Sequence, residues 1–288
     1  MIYTFFSLDI YDRLSIKSKE LLIDKKEYLK TFSLGNIPLS YNKKYKEFYE
    51  YFNNNKVNKF LTTLINYIKY NNYMYNKQVM AYLYGMIINY GLSTNINPYI
   101  IYYGGVNKYN IVNNHIDNFI TRLKTNNNPY RFKGYKECFN IDYFDKELIE
   151  VINFTYKEVF KIDNFSKDYL ESIKKMKRFY RIYRYDRFGI KKLFYFKNRY
   201  LSLHTKSNDS YLNLNHNIWY NPTNKRVHSN MSFIELYLKS IHDTSNMINE
   251  INQYIYYDKK IKLDKVLGNN SYITGRDINK EKKLKFFN

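Results

Sequence analysis

Apolar residues recur along much of this chain at the spacing of one face of an α-helix. In residues 43–70, Phe60, Leu61, Leu64, Ile65 and Ile68 fall at i, i+1, i+4, i+5 and i+8, so they form one stripe while Lys59, Asn66 and Lys69 turn away. The Asn-rich stretch 71–76 predicts a connection. A second helix is expected over 77–93, with Pro98 and Gly104-Gly105 marking an irregular segment after it. A third spans 110–124, with Ile111, Ile116, Phe119, Ile120 and Leu123 on its apolar side, and the asparagines before Pro129 close it. Helical patterning resumes over 146–159 and 167–186. The period is lost in 193–223, where aromatic, Asn and Ser residues mix and a long ordered loop or short extended pieces are expected. It returns over 232–256, where Phe233, Leu236, Tyr237, Ile241, Met247, Ile248 and Ile251 sit near helical spacing.

Only 9 Gly and 4 Pro punctuate 288 residues, which disfavours many short strands and favours long helices. The expected fold is mainly α, one multi-helix domain over 1–288. Its helical core covers about 1–190, and a long, irregular, loop-rich C-terminal part covers about 191–288. Phe60, Leu64, Ile68, Leu83, Met86 and Ile87 are its expected core, and the basic tail 280–285 is expected at the surface.

The single Cys138 excludes an intramolecular disulfide framework and fits a cytoplasmic or other intracellular location. The apolar stretch 1–8 has no basic lead and no small-residue cleavage site, so no signal peptide is expected. The longest apolar run, 79–92, is interrupted by Asn89 and falls short of the about 20 residues of a spanning helix, so no transmembrane segment is expected either.

The formal net charge of +21 points to nucleic acid or an anionic membrane as a partner. Tyr, Asn, Ile and Lys are abundant together, however, as AT-rich codons produce, and that raises the Lys content without any polyanion partner. The basic-aromatic run 174–185 presents the same choice. It could stack bases and contact phosphates, or it could form an amphipathic helix with Met176, Phe179, Tyr180 and Tyr183 inward and Lys and Arg snorkelling around them. The second is favoured, leaving only weak, salt-sensitive polyanion binding. There is no Gly-rich phosphate loop, nucleophile elbow, Cys pair or zinc-finger spacing.

The segment Ala81-Tyr82-Leu83-Tyr84-Gly85-Met86-Ile87-Ile88-Asn89-Tyr90-Gly91-Leu92-Ser93, followed by Asn97-Pro98-Tyr99-Ile100, resembles clostridial and related members of the zinc-dependent phospholipase C-like family. There the segment runs AYLYG, two apolar residues, then HYxLDxxxHPYI. Further landmarks follow in the same order: Leu212-Asn213 through Trp219 and Pro222, Ser232 to Tyr237, Ser271 to Gly275, and the closing Leu284 to Phe287.

The resemblance implies a helical fold in which clustered zinc ions, held by His and Asp or Glu, activate a water that attacks the phosphodiester phosphorus. A His and an Asp four residues apart share one helix face, and a second His just past the helix end can close over the same metal. The matching positions here are Asn89, Ser93 and Asn97, neutral groups that ligate zinc poorly. Other apparent counterparts of family ligands are Phe5, the turn at 35–38, and Asn110 with Asn113 ahead of Asp117. The resemblance therefore implies a catalytically inactive homologue with a vestigial pocket at Asn89, Ser93 and Asn97, no catalytic residues, and no cofactor where the active family carries zinc. Read without it, the three are polar residues along a helix and its cap, with Asn97 before Pro98 a common turn pairing. The alternatives are a nucleic-acid or anionic-membrane binder, and a zinc phosphodiesterase acting on phospholipid with rearranged ligands, such as His115 paired with Asp117 or a set made by His204, His216 and His228.

Overall fold

In the computed structural model the apolar stripes become ten α-helices and one short hairpin among the described residues, which are 2–21, 38–105, 107–126, 136, 141–184, 209–280 and 283–287. The helices are α1 (Ile2–Arg13), α2 (Ile16–Leu21), α3 (Lys46–Phe52), α4 (Val57–Tyr70), α5 (Lys77–Gly104), α6 (Tyr109–Thr125), α7 (Lys146–Phe160), α8 (Phe165–Phe179), α9 (Phe233–Tyr257) and α10 (Leu263–Leu267). Strands β1 (Trp219–Asn221) and β2 (Asn224–Ser229) pair antiparallel, with Trp219 opposite Ser229. The fold is mainly α.

Helix α5 is the axis of the molecule. It packs against α9, α6, α1, α4, α7 and β1, so almost every side of it is buried. Tyr82, Leu83, Tyr84, Met86 and Ile87 are fully enclosed. Burying each large side chain contributes roughly 1.5–3 kcal/mol relative to exposing it. The Asn76 side chain starts the helix by accepting from Val79 N at 3.0 Å. Phe60, Leu64 and Ile68 of α4 meet the same core, as their spacing predicts.

Two expectations need correction. The second helix does not stop at Ser93 but runs 28 residues to Gly104, straight through Pro98. Pro98 has no N–H to offer the Thr94 carbonyl four residues back. A loop covers that carbonyl, and it must be a glycine that does so: a Cβ at Gly275 would overlap Thr94 O and lie 3.0 Å from Pro98 Cγ. Residues 43–70 are likewise not one helix. A short 3-10 turn (Lys43–Tyr45) and α3 end at an Asn-rich turn, and Lys56, at φ 56°, reverses the chain before α4 begins. The helix expected over 232–256 is α9, which occupies 25 residues and opens with a capping box between Ser232 and Glu235. Residues 193–208 lie outside the described residues, and 209–223 contain a 3-10 turn and β1.

The remaining helices lie close to expectation. Helix α6 replaces 110–124 and ends on Asn126 at φ 53°, and α7 replaces 146–159. Helix α8 gives way at Phe179 to a π-turn (Tyr180–Arg184). Its inner face is Phe165, Tyr169, Ile173 and Met176, all buried. The rings of Phe179 and Tyr180 lean on Tyr41 at 5.0 and 6.1 Å, while the side chain of Tyr183 lies outside the described residues. Among the described residues no helix is long and apolar enough to cross a membrane.

Candidate functional site

Because α5 continues as a helix through Pro98, Asn89, Ser93 and Asn97 stand at i, i+4 and i+8 on one stripe. All three line a single cavity of about 440 Å³. Its other walls come from distant parts of the chain: Tyr3 of α1, Tyr49 of α3, Tyr109 and Asn110 of α6, and Tyr272 of the loop after α10. Leu284, in the closing segment 283–287, leans over one side, and the Lys285 and Phe286 amides hold that segment down by donating to the Pro222 carbonyl at 2.8 and 3.0 Å.

The polar groups of the stripe are tied to these walls. Tyr3 Oη and Ser93 Oγ are 2.9 Å apart, and Ser93 Oγ donates to Asn89 Oδ1 at 3.1 Å. With the serine proton spent on Asn89, the Tyr3 hydroxyl must be the donor to Ser93, which fixes the direction of the chain Tyr3→Ser93→Asn89. Asn97 is held at both ends: Nδ2 donates to the Tyr272 carbonyl at 2.7 Å, and Oδ1 accepts from Tyr109 Oη at 2.8 Å. Asn89 Nδ2 has no acceptor among the described residues.

The phenols stay protonated. Burial raises the pKa of Tyr3, Tyr49 and Tyr109 above that of an ordinary tyrosine. Ser93 partly offsets this at Tyr3 and Asn53 at Tyr49, while at Tyr109 the neighbouring phenols Tyr3 and Tyr49 and the Asp117 carboxylate raise it further. The walls therefore present neutral amides and hydroxyls near neutral pH. Among the described residues the lining holds no Lys, Arg or His, and its one carboxylate is Glu50, exposed at the rim.

The remaining sequence candidates divide. Asn110 joins the cavity. Asp117 lies behind it, buried, with Oδ1 accepting from Ile2 N at 2.8 Å. Phe5 and Asn113 do not line it, and residues 35–37 of the candidate turn lie outside the described residues. His115 makes no pair with Asp117. Its ring lies 5.1 Å from that of Tyr211, its Nδ1 is buried without a partner, and burial lowers its pKa. His204 and Cys138 are outside the described residues. His216 sits on the surface beside Asn230 O at 3.2 Å and Glu235 Oε2 at 3.3 Å, and His228 lies in β2 opposite Tyr220 of β1. No three His, Cys, Asp or Glu side chains come together to hold a metal among the described residues.

Zinc can be tested directly against the stripe, and the donor set does not fit. Zinc sites use thiolate, imidazole or carboxylate, whereas these positions offer two amides and a hydroxyl. Both ends of Asn97, and both the proton and a lone pair of Ser93, are already committed to protein partners. The arrangement is suited to hydrogen bonding a guest rather than to generating a hydroxide.

Sequence reasoning found the stripe but not Tyr3, Tyr49, Asn53, Tyr109 or Tyr272. With 35 tyrosines in the chain, phenol identity carries no signal. The one usable hint for Tyr3 was the helical spacing of Ile2, Phe5, Phe6 and Ile10, which lets this segment pack as a helix against the core. Comparison with protein-family models, with curated proteins and with solved structures finds no match.

Proposed function

We propose that this chain is a catalytically inactive homologue of the zinc-dependent phospholipase C-like enzymes, whose former metal site is now a neutral pocket that binds a ligand without turning it over. The observation that carries this is the convergence of Asn89, Ser93, Asn97 and Asn110, all positions matched to metal ligands of that family, on one cavity where each is neutral. Hydrolysis of a phosphodiester near neutral pH needs a nucleophilic hydroxide, which zinc supplies by lowering the pKa of bound water to about 7. Nothing on the stripe can replace that. Purification in zinc-containing buffer followed by elemental analysis and a phosphatidylcholine hydrolysis assay tests the proposal. Substoichiometric zinc and no turnover are expected; tightly held zinc whose removal by chelator abolishes hydrolysis would return the protein to the enzymes.

A second, independent contact, with polyanions, is supported by the outer face of α8, where Lys167, Lys174 and Arg178 stand exposed at i, i+7 and i+11. This contact is non-specific and weak, because it rests on charge alone.

A further inference from the structure

The chemistry of the cavity also restricts its guest. Building on the non-catalytic pocket above, we propose that the cavity takes a neutral polyhydroxylated ligand, a sugar or cyclic polyol, and neither a phosphate nor an organic cation.

The charge distribution argues first. In a chain of net charge +21, no cationic side chain among the described residues lines this cavity, while the Glu50 carboxylate stands at its rim and the Asp117 carboxylate lies behind Tyr3 and Tyr109. A phosphate would be desolvated without a counter-charge, which is costly. An organic cation fares little better, since the one lining carboxylate is exposed and screened by water while the inner walls are uncharged. A neutral guest meets neither penalty.

The hydrogen-bonding inventory argues second. Asn89 Nδ2, on a residue only 6% exposed, lacks an acceptor, although its Oδ1 is fixed by Ser93. The donor is thus aimed by the bond at its other end. Asn110 adds an unengaged amide at the mouth, and the half-buried phenols of Tyr3, Tyr49 and Tyr109 stand between. A sugar hydroxyl donates and accepts at once, so a ring of them can satisfy amides and phenols in either sense. Its C–H faces would lie against the tyrosine rings and against Ile101, Ile273 and Leu284. The volume of about 440 Å³ lies within the range of small-molecule sites.

Saturation-transfer NMR on the full chain, with glucose, cellobiose and myo-inositol as probes, tests this. Tetramethylammonium serves as the cationic arm and inorganic phosphate, followed by its ³¹P linewidth, as the anionic arm. At least one polyol is expected to show transfer, and phosphate and tetramethylammonium none. Asn89→Leu should weaken polyol binding about tenfold, the effect of one lost hydrogen bond to a fixed donor. Asn110→Ala, at an exposed position that cannot unfold the core, should weaken it several-fold. Glu50→Lys should keep the polyol signal and still admit no phosphate, because a charge at the exposed rim is screened by water. Binding of phosphate or tetramethylammonium without any polyol overturns the proposal, as does the absence of all binding, or polyol binding that neither asparagine substitution changes. These outcomes leave the non-enzyme reading intact, because that falls only to stoichiometric zinc with turnover.

Discussion

Asn97 joins α5 to two elements far away in the sequence, α6 through Tyr109 and the loop after α10 through Tyr272. Removing its side chain strands a phenol proton and a backbone carbonyl at the same time. Leaving buried polar groups unpaired costs about 1–3 kcal/mol, and Asn97→Ala is expected to fall in that range in urea denaturation, with an unchanged m-value. A cost within error of zero would mean that water replaces both bonds and that the stripe is not part of the structural frame. That Asn89, Ser93 and Asn97 share one face was legible from their spacing alone. What each touches was not, because the partners lie up to 175 residues away and spacing speaks only about one helix. That these positions are neutral was legible as well, and the structure adds that Ser93 is bonded to Asn89 and Tyr3, and Asn97 to Tyr109 and Tyr272.

The central packing event between elements is the crossing of α5 and α9. Gly91 sets how close the two come: a Cβ there would overlap Thr244 Oγ1 and lie 3.0 Å from Thr244 Cβ. Thr244 is fully buried and its hydroxyl has no hydrogen-bond partner, so it contributes shape to the contact rather than polarity. Gly91→Ala gains helix propensity but overpacks this contact, and overpacking of a core costs about 1–3 kcal/mol. A net loss of stability is expected, partly recovered when Thr244→Ala is combined with it. The check is a double-mutant cycle by thermal or urea denaturation, and simple additivity of the two substitutions would show that the helices are not in contact there. This crossing also explains why some elements were legible and others were not. Helices α4, α6, α7 and α9 bury one side and expose the other, so their apolar periodicity appears in the sequence. Helix α5 is enclosed on nearly all sides, which erases periodicity and leaves only Pro98 to suggest an end. That suggestion misled, because whether a proline stops a helix depends on who covers the carbonyl it abandons, and here the cover is a loop some 180 residues away around Gly275. The break at Lys56 was hidden for the opposite reason: a left-handed lysine has no sequence signature of the kind a glycine provides.

At the scale of the whole molecule, the mainly helical class followed from the scarcity of Gly and Pro and was legible at once, whereas the distribution of the +21 charge was not. Among the described residues the structure places no cation in the lining of the cavity and sets part of the charge on the outer face of α8. The inner face of α8 is occupied by Phe165, Tyr169, Ile173 and Met176, and of the run 174–185 that was a candidate for stacking bases, Met176 lies on that face. Phe179 and Tyr180 are turned against Tyr41. Among the described residues, what α8 offers a polyanion is a row of charges without a stacking platform, and a row of charges binds through release of counterions. The affinity for a single-stranded homopolymer such as poly(dT) should therefore fall linearly with salt on a log–log plot, with a slope of about −0.7 for each phosphate neutralised. Replacing Lys167, Lys174 and Arg178 together by Gln removes three exposed charges that make no buried contact. The fold should be unaffected, and the slope should become shallower by about 2. Titrations of the parent and the triple variant between 50 and 200 mM salt, roughly the range over which such binding decays, decide the matter. An unchanged slope would move the contact to another surface, and tight binding that survives high salt would require stacking or base contacts that this face of α8 does not offer.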